Sequence, residues 1–252
     1  MVDIIRAFEN FIIGASNIEI SLTVILLTAF IFLFLHGKRN HPVLAQLSII
    51  TGFIPVLVHE IGHAMMTSLT RGYVKNIYMV LTPKGQLKSG AQGYAETAGR
   101  NWVSNIIKTF AGYAFPPLVM TTGVLLANAG YGLLFIALLV IFALYYFWHT
   151  SQKWLPILFI AILSYSGFNL ITAMNEWSQT LISTGYSVII GLLFGEVLQS
   201  ILITSRVNFS TDSKEWDGSA MRRLTYLPAT LWWLLWTVLS GWSIWTVITT
   251  LA

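Results

Sequence analysis

The chain has 252 residues, of which 56% are hydrophobic and 10% are charged, with a formal net charge of +4 and no cysteine. Soluble domains carry about 25% charged residues, so this composition excludes a soluble protein and indicates an integral membrane protein. The lack of cysteine excludes disulfides and cysteine-ligated metal sites, which leaves His, Asp and Glu as candidate ligands. In a soluble protein a pI near 9.3 would suggest a nucleic-acid partner. In a membrane protein the basic residues follow the positive-inside rule instead, so we predict no nucleic-acid partner.

The N-terminal residues 1–17 have neither a basic leader nor a small-residue cleavage site, so we predict no removable signal peptide. Seven apolar segments follow, each long enough to cross a bilayer as a helix. They cover residues 18–35, 43–69, 103–127, 131–148, 154–174, 180–203 and 226–250. No barrel-like alternation is present, so we predict an all-α polytopic membrane protein that forms one domain over residues 1–252.

The second predicted helix contains His59-Glu60-Ile61-Gly62-His63, an H-E-x-x-H motif in an apolar run. Positions i and i+4 of a helix lie on the same face, so His59 and His63 can direct ring nitrogens at one metal ion. Glu60 is placed to hydrogen-bond a water beside the metal, as the general base of a metallopeptidase does. The alternative is two histidines that only pack between helices. Because ionisable residues in membrane helices are costly and usually functional, we favour the metal site.

A polar stretch over residues 71–100 separates the second and third helices and predicts strands rather than helix. Residues 73–81 are β-branched and aromatic, Pro83-Lys84-Gly85 is a turn signal, and residues 86–94 could return as a second strand. We therefore predict a hairpin-like segment near the membrane surface, whose edge could hold an extended substrate by strand addition. A plain surface loop is the alternative.

Two later helices carry residues that interrupt their apolar pattern. The pair Pro116-Pro117 should kink or break the third helix. Glu196 lies deep in the sixth helix, where it could be a proton relay or a metal ligand. An acid that hydrogen-bonds to a neighbouring helix is the commoner outcome.

A catalytic zinc site uses three protein ligands, so two histidines leave one ligand to be found. The polar segment 204–225 offers Asp212, Glu215 and Asp217. We predict Asp217, because it stands at the start of the last helical unit, on the side of the membrane where the zinc is expected. An Asp before a Gly is otherwise most often a turn or N-cap residue.

The basic residues also predict an orientation. If the seven segments alternate across the bilayer, all basic residues except Lys38 and Arg39 lie on the side of the N-terminus. The positive-inside rule then places the N-terminus and the mouth of the site in the cytoplasm.

Four features together resemble the site-2 protease family of intramembrane zinc metallopeptidases. They are the H-E-x-x-H helix, the hairpin-like segment, Ala111-Gly112-Tyr113 with its prolines, and the late Asp217-Gly218. Asp217 followed by Thr225-Tyr226-Leu227-Pro228 and a Trp-rich helix is similar to a divergent bacterial branch of that family. The better-known branch carries an Asn-Pro element before Leu-Asp-Gly, whereas Glu215-Trp216 precedes Asp217 here.

This resemblance implies an enzyme of a bacterial cell membrane that hydrolyses peptide bonds in or near transmembrane segments of a membrane-protein or peptide substrate. It implies Zn²⁺ held by His59, His63 and Asp217, with Glu60 as the base. One alternative is a non-proteolytic zinc-binding regulator or chaperone, which the presence of Glu60 disfavours. A transporter is the other, and the lack of an internal repeat disfavours it. No oligomeric state is predicted.

Overall fold

The computed structural model describes residues 18–39, 41–171, 176–210 and 215–252. Over these residues the chain forms nine helices and one two-stranded sheet. The helices are α1 Leu22–Gly37, α2 Pro42–Leu69, α3 Pro83–Ser89, α4 Trp102–Asn128, α5 Gly132–His149, α6 Trp154–Ile171, α7 Glu176–Phe209, α8 Asp217–Thr225 and α9 Ala229–Leu251. The strands are β1 Tyr73–Met79 and β2 Gly93–Ala98. The prediction of a mainly helical fold with a small β segment is confirmed, while the prediction about a signal peptide falls on residues outside the described ranges.

Five of these helices are long and apolar enough to cross a membrane: α2, α4, α5, α9 and the Gln179–Phe209 part of α7. Two further apolar helices, α1 and the Trp154–Asn169 part of α6, are shorter. The 16 residues of α1 extend about 24 Å, which is less than the roughly 30 Å of a hydrocarbon core. Each of the seven predicted segments coincides with a helix, and five of them have the dimensions of a span.

The predicted loop over residues 204–225 is largely helical. Helix α7 continues to Phe209, and α8 occupies residues 217–225. The hydroxyl groups of Thr204 and Ser205 donate to the carbonyl oxygens of Ser200 and Ile201 on the preceding turn. These polar side chains are thereby satisfied inside the helix, which lets α7 continue beyond the apolar run.

The second strand lies at residues 93–98 and not at the predicted 86–94, because residues 83–89 form α3. Thr82 caps this helix by accepting a hydrogen bond from the Gly85 N–H at 3.1 Å, and Pro83 begins the first turn. Gly90 follows the helix with φ of 71°, a conformation that favours glycine. The turn signal was therefore the start of a short helix, and the return strand begins later.

The two-stranded sheet packs along α2. Gly72, just before β1, lies against Thr67 near the end of α2, and Gly93 lies against Val56. Beyond β1, the Leu81 carbonyl accepts a hydrogen bond from the Gln46 side chain at 3.3 Å. The hairpin thus follows α2 for most of its length and passes the H-E-x-x-H turn.

Helix α4 runs antiparallel to α2 and passes it at very close range. The hydroxyl groups of Thr70 and Ser104 join the end of α2 to the start of α4 at 2.6 Å. A Cβ atom at Gly62 would lie 2.8 Å from the Phe115 ring, so this crossing requires glycine. Of the predicted kink or break, the break does not occur, because Pro116 and Pro117 lie inside α4 without ending it. The Pro117 carbonyl oxygen accepts hydrogen bonds from the hydroxyl groups of Ser243, on α9, and of Thr121, on α4.

Candidate metal centre and catalytic cavity

Two histidines of α2 and one aspartate of α8 bring their side chains together. His63 Nε2 lies 3.1 Å from His59 Nε2 and 3.3 Å from Asp217 Oδ2. His59 Nε2 lies 3.5 Å from the same carboxylate oxygen. In a tetrahedral zinc site with bonds of about 2.0–2.1 Å, ligand atoms are about 3.3–3.4 Å apart. The three atoms therefore have the spacing of ligands to a single zinc ion.

The state of Asp217 fits an anionic ligand. Its Oδ2 atom is buried and has no hydrogen-bond partner among the described residues, an arrangement that is costly unless the oxygen binds a cation. Burial favours the neutral acid, but the neighbouring His63 and His59 outweigh it and hold the pKa of Asp217 below its usual range. The aspartate thus presents an ionised oxygen toward the two ring nitrogens.

The tautomer of His63 is fixed by a contact with α4. Its Nδ1 atom lies 2.7 Å from the carbonyl oxygen of Lys108. A carbonyl can only accept, so Nδ1 carries a proton, and Nε2 is the nitrogen that would bind a metal ion. Metal-binding histidines are commonly held by such a bond from their second nitrogen.

Local packing explains why Asp217 is available as a ligand. It is the first residue of α8, where an N-cap role was the alternative prediction, but Ser219 serves the helix start instead. The Ser219 hydroxyl accepts from the Trp216 N–H at 3.0 Å. Trp216 lies against Tyr113, and a Cβ at Gly218 would collide with the Trp216 ring. This aromatic contact anchors the start of α8 beside α4 and leaves the Asp217 carboxylate free for the histidines.

Glu60 lies on the wall of a cavity of about 210 Å³ next to His59. Only 8% of Glu60 is exposed, so its carboxylate is held close to the cavity and away from bulk water. The other polar side chains on the wall are Gln92 before β2, Tyr113 of α4, and Glu196 and Ser200 of α7. Of the three candidate ligands, His59 lines this cavity together with Glu60.

Glu196 lies outside the ligand triangle, on the cavity wall formed by α7. Its Oε1 atom accepts a hydrogen bond from Ser200 at 2.9 Å, one turn along the same helix. The expected bond to a neighbouring helix is therefore replaced by one within α7. Among the described residues, Glu196 therefore lines the cavity and does not belong to the group of candidate metal ligands.

The two edges of the sheet differ. On the outer side of β1, the Met79 N–H donates to Gln152 Oε1 at 2.8 Å, and Gln152 Nε2 donates to the Met79 carbonyl at 2.9 Å. The Ser151 N–H donates to the Asn76 side chain at 3.1 Å. The connection between α5 and α6 thus covers the Met79 end of this edge, while on β2 Gly93 lines the cavity beside His59 and Glu60.

Several residues of this site carry no sequence signal. Gln92, Lys108 and Gln152 belong to no motif, and their roles depend on contacts between segments far apart in the chain. Asp212, the other aspartate considered as a ligand, lies outside the described residues.

Comparison with known proteins adds one finding. A family model described as peptidase M50B-like matches residues 20–247, which include the H-E-x-x-H motif and Asp217. Neither the curated proteins nor the solved structures that were compared gave a match.

Proposed function

Because the chain belongs to the peptidase M50B-like family, a site-2 protease family, we propose that it is a zinc-dependent intramembrane endopeptidase. The family is one of membrane metallopeptidases, and five helices in the described part of this chain are apolar and long enough to span a bilayer. The observation that carries the proposal is the triangle of His59, His63 and Asp217 ligand atoms beside Glu60.

The proposed chemistry assigns a role to each of these residues. His59, His63 and Asp217 would hold Zn²⁺, which supplies Lewis-acid activation of a water and of the scissile carbonyl. Glu60 accepts the proton of the attacking water and passes it to the leaving amine. The Lys108 carbonyl keeps the Nε2 lone pair of His63 directed at the site.

The proposed substrate is a transmembrane segment of a membrane protein, or a peptide, that has been unwound near the scissile bond. The amide groups of an intact helix are committed to internal bonds, so the segment must be held extended. Gln152 covers the β1 edge at Met79, whereas the β2 edge reaches the cavity at Gly93. We therefore assign substrate docking to β2, by strand addition.

The proposed location is a bacterial cell membrane, with the mouth of the site toward the cytoplasm. The bacterial assignment rests on the resemblance of the segment after Asp217 to a divergent bacterial branch. The orientation rests on the basic residues that flank the helices, such as Arg71, Arg100 and Lys153.

Replacement of Glu60 by Gln distinguishes the proposed peptidase from a zinc-binding protein that does not cleave substrates. The amide keeps the size of the side chain but cannot take a proton, and general acid-base catalysis contributes about 10²–10⁴ in rate. We expect Glu60→Gln to retain zinc and to cleave a membrane substrate about 10²–10⁴ times more slowly than the parent. The exposed Glu215→Gln is the matched control, since Glu215 pairs with Arg223 at the surface. Equal cleavage by Glu60→Gln and the parent would contradict the assigned base, and zinc without any cleavage by the parent would favour the regulator or chaperone.

A further inference from the structure

Lys108, a residue of α4, contacts both the zinc-binding helix and the sheet. Its carbonyl oxygen lies 2.7 Å from Nδ1 of His63. Its ammonium group donates to the carbonyl oxygen of Thr97 at 3.0 Å and to the Thr97 hydroxyl at 3.3 Å. We propose that Lys108 is a positioning residue that fixes the substrate-docking edge of β2 relative to the zinc ligand His63; this rests on the proposed function.

The hydrogen-bond pattern of the sheet identifies which groups of β2 face outward. The Val80 N–H donates to the Gln92 carbonyl at 2.9 Å, and Met79 pairs with Gly93 in the next position. In an antiparallel pair, positions alternate between bonding the partner strand and pointing away from it. Gly93 and Ala95 therefore present their backbone groups to the open edge.

The same alternation explains the position of the Lys108 ammonium. After the irregularity between Val74 and Asn76, Thr97 stands opposite Val74 and again points its backbone outward. Lys108 binds this outward carbonyl, so it occupies the end of the open edge that is farthest from Gly93. The edge available to an extended substrate is therefore bounded by the cavity at one end and by Lys108 at the other.

The side chain of Lys108 is the part that can be tested by mutation. Any residue would supply the carbonyl that holds His63, but only a long cationic side chain reaches the Thr97 carbonyl. Other contacts of the sheet hold β1 from the α5–α6 connection, through Gln152 and Asn76. Removal of the ammonium therefore loosens β2 on its open side while the bond to His63 persists.

Lys108→Met keeps the carbonyl and most of the aliphatic stem, and Lys108→Arg restores a cation of similar reach. The matched control is Lys75→Met, which removes the exposed ion pair of Lys75 with Glu96, at 2.8 Å on the same sheet. Loss of a charge-assisted hydrogen bond should weaken docking about 10-fold or more. An exposed pair contributes little, so Lys75→Met should change docking less than about 3-fold.

The experiment measures binding and turnover separately, on the full chain in detergent with zinc bound. The probe is a fluorescent Leu-Ala-rich transmembrane peptide flanked by lysines, and its Kd is measured in a Glu60→Gln background, where it is not cut. We expect Lys108→Met to raise the Kd about 10-fold with an unchanged zinc content, and Lys108→Arg to recover most of the affinity. With Glu60 restored, KM should rise by a similar factor while kcat changes little.

Three results would overturn the inference: an unchanged Kd in Lys108→Met, an equal rise in Lys75→Met, or loss of zinc from Lys108→Met. The last would mean that the side chain acts on the metal centre itself. The parent and its variants could show the predicted differences in Kd while the parent never cuts the peptide. In that case the proposed function fails and the positioning role of Lys108 stands.

Discussion

Asp217→Asn is the sharpest test of the metal centre, because it changes one atom of the ligand triangle. The amide keeps the shape of the side chain, but it removes the negative charge that faces two histidine nitrogens at 3.3 and 3.5 Å. Among the described residues no other acid belongs to the group, since Glu196 lies on the cavity wall outside the triangle. Zinc would be left with two protein ligands.

The magnitude follows from the position of Asp217 among the ligands. Mutation of outer groups that merely orient ligands weakens metal binding about 10–100-fold. Loss of a direct ligand should exceed that range, so we expect the zinc Kd to rise more than about 100-fold, or about 2.7 kcal/mol. The assay is competition with chelators of graded affinity, followed by elemental analysis of the detergent-purified protein.

The controls separate a lost ligand from a lost charge. Glu215→Gln removes a carboxylate two residues away that is 85% exposed and paired with Arg223, so zinc binding should not change. Asp212→Asn tests the other aspartate of the segment. If Asp217→Asn binds zinc as tightly as the parent, or if Asp212→Asn loses the metal instead, the reasoning from the triangle is refuted.

Three further outcomes are expected. Gly112→Ala places a methyl group against the imidazoles of both candidate zinc ligands, His59 and His63, and should lower zinc affinity about 10-fold. Gly241→Ala, which has open space around it, should not change the zinc affinity, and equal affinities of the two variants in the same chelator assay would contradict this. Glu196→Gln should keep full zinc, and metal loss on elemental analysis would make it a ligand after all. Cysteines introduced at Lys153 and Arg100 should resist an impermeant thiol reagent in intact cells, and labelling of either would reverse the proposed orientation.

The parts of the site that can be predicted from the sequence are those that depend on local geometry. The i and i+4 spacing of His59 and His63 fixes their shared helix face without any tertiary information. Asp217 could be proposed because it was one of few acids in a late polar segment. Its approach to the histidines depends on Trp216 packing against Tyr113 more than 100 residues earlier in the chain.

The errors have local and non-local causes. The second strand was misplaced because Pro83-Lys84-Gly85 predicts a turn, although a threonine before a proline is also a helix start. The length of α7 was underestimated because the hydroxyls of Thr204 and Ser205 bond inside the helix. Lys108 and Gln152 could not be found, since each acts on a strand that no sequence spacing connects to it.

The contact between Gln152 and Met79 has a consequence for self-association. The carbonyl oxygen of the Gln152 side chain accepts one hydrogen bond from Met79, and its NH₂ group donates one, so the amide imitates a neighbouring peptide group and caps the end of the β1 edge. Open strand edges are templates for polymerisation into continuous ribbons. A second sheet cannot pair along the full length of a capped edge, so growth of a continuous ribbon is blocked at β1 while the β2 edge stays open to extended chains.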